Sequence, residues 1–372
     1  MFTLFVFPLV KYKMRSVSKD TSPQYIFLNT RLVNGWVFLY YLFVMWQIIR
    51  FWVIMLKNVL GELLRMIIYF SKINLVTTDL FDIYEDSTVL NRVKNSILSY
   101  VRSGVSYKVE DNTFDENGQI HQTSTYYKLS IGMKREDTIA GVIYKETRLF
   151  YKKVNDSTNE IESHTIPTIE DIKFYYDVER EIVGFHTRNR FGYKEFNTAF
   201  SELINLCMKE NDLELRFEAN LYNEGMGIEE IESELKEIKN IKKLTFQFRA
   251  PNPADDYMLD ALQNGLDDMV EQMEKANATG VSVIFDSNGK AGLNVESDEI
   301  KRNIRRIGFL HSGIDDKSAT KHGYASVKAI DRNGKIFTTE EHKPIKREIV
   351  NEFEFVEACK DTILNILLRK KG

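Results

Sequence analysis

Three side chains that could bind an anion lie close together in the run HTRNRFG, residues 186–192. Because side chains alternate along a strand, His186, Arg188 and Arg190 fall on one side of a predicted strand end. Gly192 then leads into a predicted helix, whose N-terminal N–H groups favour negative charge. The pattern predicts a local basic patch for a phosphate, a nucleic-acid backbone or an acidic protein segment. The same residues are also typical of a solvated sheet edge that prevents aggregation.

A second candidate binding segment is the run FQFRAPNP, residues 246–253. It reads as a strand that ends in a rigid turn, and it places Arg249 and Asn252 just before a predicted helix. Loops between strands and helices often carry sites in α/β proteins, so both residues are candidate binding residues. The alternative is a stiff helix entry, in which Asp255 and Asp256 face the positive end of the helix.

None of the short motifs that fix a reaction occurs in the sequence. There is no phosphate loop, no dinucleotide-binding glycine pattern, no serine elbow, no HExxH and no paired CxxC. The six histidines are scattered, and Cys207 and Cys359 fall on apolar helix stripes, where buried thiols are common. The sequence therefore predicts no metal site and no cofactor, and it leaves open whether the protein is an enzyme.

A short recurrence of the form D-x-N-G has two interpretations. It occurs at residues 115–118, 286–289 and 331–334. A calcium loop would need further carboxylate ligands and a bidentate Glu, which none of the three segments supplies. Asn-Gly at the corner of a two-residue hairpin, with both residues at positive φ, explains all three.

The helices and strands that must position these residues are those of a mixed α and β protein, of the α+β or mixed α/β class. Short strand-like runs precede residue 190, and apolar spacing predicts helices over residues 88–102 and 193–210. The predicted strands include residues 67–76, 126–131, 138–144, 148–154, 172–176 and 182–187. Beyond residue 212, strands alternate with helices. The fold class is thus an antiparallel sheet with a helix in the N-terminal half and a βαβ-like alternation in the C-terminal half, preceded by a single hydrophobic helix.

Three regions follow from this pattern: a hydrophobic basic segment over residues 1–65, a mixed antiparallel domain over 66–210, and a βαβ-like domain over 211–372. Charge separates the first from the others, because residues 1–72 carry nine Lys or Arg and two acidic residues. The remainder carries 41 basic and 52 acidic residues, a net charge of −11. Such a body repels DNA unless a local basic face is large, which favours a protein partner.

Residues 32–56 are uncharged apart from Arg50 and are long enough to cross a bilayer core. Arg50 costs about 2.5–3.5 kcal/mol at the bilayer centre. Twelve Leu, Ile, Phe and Val residues between positions 36 and 56 each return roughly 0.3–0.6 kcal/mol, so the sum favours insertion. One expectation is therefore membrane contact through a single N-terminal helix. The other is an over-extended start, with translation from Met66 and a cytoplasmic protein.

Two further segments carry a resemblance. The runs LTFQFRAPNPADD and HGYASVKAIDRNGKIFTTEEHKP, together with FYYD and VGFHTRNR upstream, resemble uncharacterised bacterial domain families found among phage-defence genes. The resemblance covers roughly residues 66–355. It implies a context more than an activity, and it transfers no catalytic residues.

Two hypotheses about function follow. The first is a non-enzymatic recognition or accessory component of a bacterial anti-phage defence system, which binds a protein or nucleic-acid partner around His186, Arg188 and Arg190. The alternative is a nuclease or other hydrolase whose site is assembled in space, for example from Asp255 or Asp256 and a histidine. If residues 1–65 are part of the protein, the first hypothesis becomes a membrane-tethered sensor.

Overall fold

The structure is a computed structural model. It describes residues 43–48, 50–51, 66–77, 87–114, 120–154, 157, 159, 161–250, 252, 268–309 and 317–368. Residues 65–372 form one compact unit, and residues 1–64 form another. The predicted membrane helix over residues 32–56 lies mostly outside the described residues, of which 43–48 and 50–51 are helical. Among the described residues, no helix combines the length and the apolar character that crossing a bilayer needs.

The strands and helices are numbered here in chain order. The strands are β1 (Met66–Leu75), β2 (Ser106–Phe114), β3 (Ile120–Lys134), β4 (Thr138–Val154), β5 (Ile161–Asp177), β6 (Ile182–His186), β7 (Phe217–Leu221), β8 (Ile241–Arg249), β9 (Gly280–Asp286), β10 (Ala325–Asp331), β11 (Ile336–Thr338) and β12 (Lys346–Ile349). The helices are α1 (Ser87–Tyr100), α2 (Tyr193–Lys209), α3 (Ile228–Glu237), α4 (Asp268–Lys275), α5 (Asp298–Phe309), α6 (Ser318–Lys321) and α7 (Phe355–Leu368). Two 3-10 turns span Thr339–Glu341 and Glu352–Glu354.

The first sheet is antiparallel and is built around β1. Its strand order is β12-β1-β6-β5-β4-β3-β2, and β7 also pairs with β1. One edge of β1 is shared, because its first residues pair with β12 and its last residues pair with β7. The sheet therefore gathers strands from both predicted domains, and the boundary at residues 210–211 stays a prediction.

Both faces of the first sheet are covered. Ile73 and Leu75 of β1 pack on the side of α1 and α2, with Phe196 and Phe200 of α2 in the same cluster. The alternate residues Ile68 and Phe70 point to the other side and pack against Phe355, Cys359 and Ile363 of α7. This alternation is why β1 reads as an almost continuous apolar run, as expected for a strand buried on both faces.

The second sheet has the order β11-β10-β8-β9 and is also antiparallel. Both β9 and β10 run antiparallel to β8, so they are parallel to each other with α5 as the crossover between them. The predicted βαβ-like alternation is therefore present, with β8 lying between the two parallel strands β9 and β10. Residues 244, 246 and 248 of β8 pack against α3 and α5 in a separate core. The intervening residues form what we call the polar face of the second sheet: Lys243, Thr245, Gln247 and Arg249 of β8, Ser326 and Lys328 of β10, and Ile336 and Thr338 of β11.

The mixed α+β fold class predicted from the sequence is confirmed for the described part of residues 66–368, and so are the positions of β1, α1 and α2. The hairpin between β10 and β11 differs in its turn. Gly334 has a positive φ of 81°, but Asn333 does not. Gly334 N donates to Asp331 O and Asp331 N donates to Lys335 O, which gives a three-residue loop closed by a left-handed glycine. The two-residue turn expected here is therefore wrong. Residues 115–118 lie outside the described residues.

Candidate binding cleft

A polar cleft of about 750 Å³ lies where α2 and β7 face the second sheet. Tyr193, Lys194, Asn197 and Ser201 of α2 form one wall, and β7 forms the floor. The opposite wall includes Arg249 of β8 together with Lys328, Ile336 and Thr338 from the polar face of the second sheet, with Glu340 and Glu341 at one end. The volume is within the range usual for ligand sites.

The floor strand β7 is held by side chains as well as by β1. The backbone N–H and C=O groups of Phe217 and Ala219 point away from β1, because alternate residues of a strand bond to opposite sides. Asn205 of α2 accepts from Phe217 N at 2.7 Å and donates to Phe217 O at 3.0 Å. Ser201 Oγ accepts from Ala219 N at 2.8 Å and donates to Asn197 O. Helix α2 thus closes this edge of β7 where a further strand would otherwise pair.

Ion pairs link the walls of the cleft. Arg249 makes a two-pronged contact with Glu218 of β7, at 2.8 Å from Nη2 and 2.6 Å from Nη1. Glu341 accepts from Tyr193 OH at 3.1 Å and pairs with Lys194, so it joins the start of α2 to the 3-10 turn. The Lys194 hydrogen bond holds the pKa of Glu341 below its ordinary value, so this carboxyl is ionised at neutral pH.

One lysine of the cleft differs from the other cations. The side chain of Lys328 is exposed and makes no hydrogen bond or ion pair with a described residue, and the same is true of the Glu340 carboxylate. Arg216, the remaining lining cation, lies 3.9 Å from Glu202. The lining therefore combines four cations with four carboxylates, and it leaves one of each sign available to a ligand.

Strand β11 contributes an open backbone edge. Asp331 N donates to Lys335 O, so residues 331 and 335 form a hydrogen-bonded pair of the hairpin. Bonded and non-bonded pairs alternate along an antiparallel ladder, so the next pair, Ile330 and Ile336, is not bonded. The backbone N–H and C=O of Ile336 therefore point away from β10. No described strand pairs with this side of β11. Because Ile336 and Thr338 line the cleft, a strand edge is available there for pairing.

Asn252 lies beneath the cleft and not in it. It is 1% exposed, and its side-chain amide joins β1 to the turn after β8. Asn252 Nδ2 donates to Ile73 O at 2.8 Å and to Glu181 Oε2 at 2.6 Å, and its Oδ1 accepts from Leu75 N at 2.9 Å. Lys72 completes the cluster with a 2.9 Å ion pair to the same Glu181 oxygen. Asn252 therefore fixes the turn that follows Arg249, and its buried side chain already makes three of the four hydrogen bonds that an amide can make.

The predicted basic patch separates into a buried and an exposed part. His186 is 1% exposed and packs against Phe355, whereas Arg188 and Arg190 are exposed on the turn before α2. His186 Nδ1 accepts from Lys173 N at 3.0 Å, and Arg188 Nε donates to Asp171 O at 3.4 Å. Both side chains thus complete the edge of β5, which is the sheet-edge interpretation of this segment. Burial lowers the pKa of His186, so the ring is neutral at pH 7.

The N-terminus of α2, expected to favour an anion, is compensated from within the chain. Gly192 is its N-cap, and Glu195 is an acidic residue in its first turn. Glu195 pairs with Lys145 at 2.8 Å and accepts from Tyr127 OH. The helix end therefore already faces a carboxylate.

With this geometry in place, comparison with known proteins identifies the family. The sequence model of one family, DUF4747, described as a domain of unknown function, matches residues 124–368, about two thirds of the chain. The chain belongs to the DUF4747 family. Neither the curated proteins nor the solved structures give a match. The sequence-based resemblance to an uncharacterised domain family is thereby confirmed, and the lining of the cleft, apart from Val76, lies within the matched DUF4747 region.

The thiols of the DUF4747 chain are not placed for nucleophilic chemistry. Cys207 and Cys359 are both fully buried in apolar clusters, and burial raises the pKa of each thiol. Asp255 and Asp256 lie outside the described residues. Within the described ranges, no group of three His, Cys, Asp or Glu side chains is arranged to hold a metal ion.

Sequence reasoning found Arg249 and missed the rest of the cleft. Lys328 was passed over although it is the single charge within the strand run ASVKAI. Asn197, Ser201 and Asn205 recur at intervals of four, which places a polar stripe beside the apolar stripe of α2. That stripe was the available signal that one side of α2 contacts a strand edge.

Proposed function

We propose that this protein is a non-enzymatic recognition protein that binds an extended segment of a protein partner in the cleft. The observation that carries the proposal is the open edge of β11 within the cleft. An extended peptide can add to such an edge through main-chain hydrogen bonds, and neighbouring side chains then select its sequence.

The charges of the cleft support a protein partner over a nucleic acid. A phosphodiester chain is bound by a surplus of cations, whereas this lining carries as many carboxylates as cations. Lys194 and Arg249 are already engaged with acidic neighbours. The available Lys328 and Glu340 suit a segment that carries one residue of each sign.

A selection from a displayed library of random peptides tests this proposal. We expect enriched peptides that bind the full chain and that lose binding roughly tenfold with Lys328→Glu, because a reversed charge opposes the selected acidic residue. Lys243→Glu is the matched control, since Lys243 lies on the same polar face but does not line the cleft. Peptide binding that is indifferent to Lys328→Glu would remove the cleft from the proposal.

The partner class is tested with nucleic-acid probes in the same assay. Labelled single-stranded and duplex DNA are incubated with the chain in the presence of Mg²⁺. We expect neither binding at physiological salt nor cleavage. Tight binding of DNA would mean that the partner is a nucleic acid and not a protein. Cleavage of DNA would mean that the protein is a nuclease and not a recognition protein.

The role in anti-phage defence is part of this proposal and rests on the resemblance of the sequence segments described above. Its test is the plating efficiency of phages on bacteria that express the gene together with its neighbouring genes. We expect protection that is lost with Lys328→Glu and kept with Lys243→Glu. Equal protection by both variants would separate any defence role from the cleft.

A further inference from the structure

Strands β4 and β5 extend beyond the rest of the first sheet as a two-stranded ribbon. Their pairing continues to Val154 and Ile161, whereas β3 pairs with β4 only as far as Glu146. On the other side, β6 pairs with β5 only from Phe174 onward. Among the described residues, the outer edge of β5 before Phe174 therefore has no strand partner.

The hydrogen-bond register shows which backbone groups this edge presents. Val178 N donates to Asp137 O, so stepping by two places the even-numbered residues of β5 toward β4 and the odd-numbered residues outward. His186 accepts from the outward N–H of Lys173, and Arg188 donates to the outward C=O of Asp171. The odd-numbered residues from 161 to 169 are beyond the reach of these two contacts, and we call them the open edge of β5.

The open edge carries large exposed apolar side chains. Ile161 and Ile169 are each 67% exposed, and Val154 and Ile166 are also exposed. A two-stranded ribbon is at best marginally stable in water, and an unpaired edge is a template for another strand. The ribbon thus lacks a third strand.

We propose that this third strand is β5 of a second copy of the chain, paired antiparallel with Thr165 on the two-fold axis. In this register Ile161 of one copy lies opposite Ile169 of the other, on the same side of the joined sheet. Moving the register by two residues instead places Ile161 opposite Asp171 or Pro167. The register centred on Thr165 is therefore the one that places the two isoleucines opposite each other.

The same register accommodates the remaining residues of the edge. Pro167 lacks an N–H, and it lies opposite Ser163, so each half of the pairing loses one bond and the central bonds are kept. Within residues 161–169 this register opposes no two like charges, because the segment carries one acidic residue and no Lys or Arg. The contact is isologous and closes as a dimer.

Cross-linking at the two-fold axis tests the register. Directly opposed Cα atoms in such a pair lie about 5.5 Å apart, so Thr165→Cys places two thiols within reach of a short bis-maleimide. The natural cysteines are both buried. We expect a covalent dimer from Thr165→Cys and none from Lys153→Cys, an exposed position on β4 far from the axis. Equal cross-linking of both variants would overturn the proposed register.

Molar mass measured by light scattering tests the dimer itself. We expect the full chain to be dimeric and the double variant Ile161→Asp/Ile169→Asp to raise the dimer dissociation constant roughly a hundredfold, because two carboxylates are placed in an apolar contact. Ile284→Asp, at an exposed isoleucine of β9, is the control and should remain dimeric. A monomeric wild-type chain at several hundred micromolar overturns the proposal.

Discussion

The edges of β7 and β5, two strands of the first sheet, are treated differently. At β7, Ser201 and Asn205 of α2 bond the outward backbone groups of Phe217 and Ala219. At β5, the side chains of the described residues bond the outward backbone groups of residues 171 and 173 alone, and the strand continues outward beyond them. The difference shows that a polar helix stripe can take the place of a strand, and that an edge stays available for pairing wherever such a stripe ends.

Removing the helix side chain at β7 should have the largest effect. Asn205→Leu leaves both the N–H and the C=O of Phe217 without a partner beside an apolar side chain. We expect a loss of about 3 kcal/mol in the free energy of unfolding, measured by urea denaturation. Thr198→Val, on the exposed side of the same helix, should change it by less than about 0.5 kcal/mol. Similar values for the two variants would mean that α2 does not close this edge.

Removing the histidine at β5 should have an intermediate effect. His186→Ala leaves the Lys173 N–H without its acceptor, and we expect a loss of about 2 kcal/mol at pH 8. Urea denaturation measures this loss, with His164→Ala as the control variant.

The pH dependence gives the same residue a second readout. Because burial lowers the pKa of folded His186, the unfolded chain binds the extra proton first as the pH falls. The stability contributed by neutral His186 is therefore complete above pH of about 6.5 and declines below it toward the folded pKa. His186→Ala should remove this part of the decline, whereas His164→Ala should keep it. An unchanged pH profile in His186→Ala would contradict the assignment.

Restoring a donor on the open edge should have the smallest effect. Pro167→Ala adds an outward N–H to β5 and should tighten the proposed self-association roughly tenfold. The monomer should lose only about 0.5–1 kcal/mol, because the unfolded chain becomes more flexible. Sedimentation equilibrium measures the first quantity and urea denaturation the second. Weaker association of Pro167→Ala would show that this edge does not pair.

The elements best predicted from the sequence are those whose pattern is local. The helix over residues 193–210 is found as α2, because its apolar spacing is determined by a single buried side. The runs 138–144 and 148–154 are one strand, β4, because pairing with β5 continues through the polar residues between them. The place of β7 beside β1 depends on contacts distant in sequence, which periodicity does not encode.

The site was predicted less completely for a related reason. Residue type and alternation identified Arg249, which lines the cleft with its charge toward Glu218. They did not reveal that His186 is buried beneath α7 while Arg188 remains exposed, because burial is determined by elements far away in the sequence. The polar turn residue Asn252 was predicted as a binding residue, but its side chain hydrogen-bonds main-chain groups of β1 instead.

The position of β1 has a consequence for the synthesis of the chain. Met66–Tyr69 pair with β12, and residue 346 of that strand is made 280 residues after residue 66. At about 5–20 residues per second, a ribosome needs roughly a quarter of a minute to a minute to reach it. During that time one side of the nascent β1 is without its final neighbour. Completion of the sheet therefore has to follow translation of nearly the whole domain.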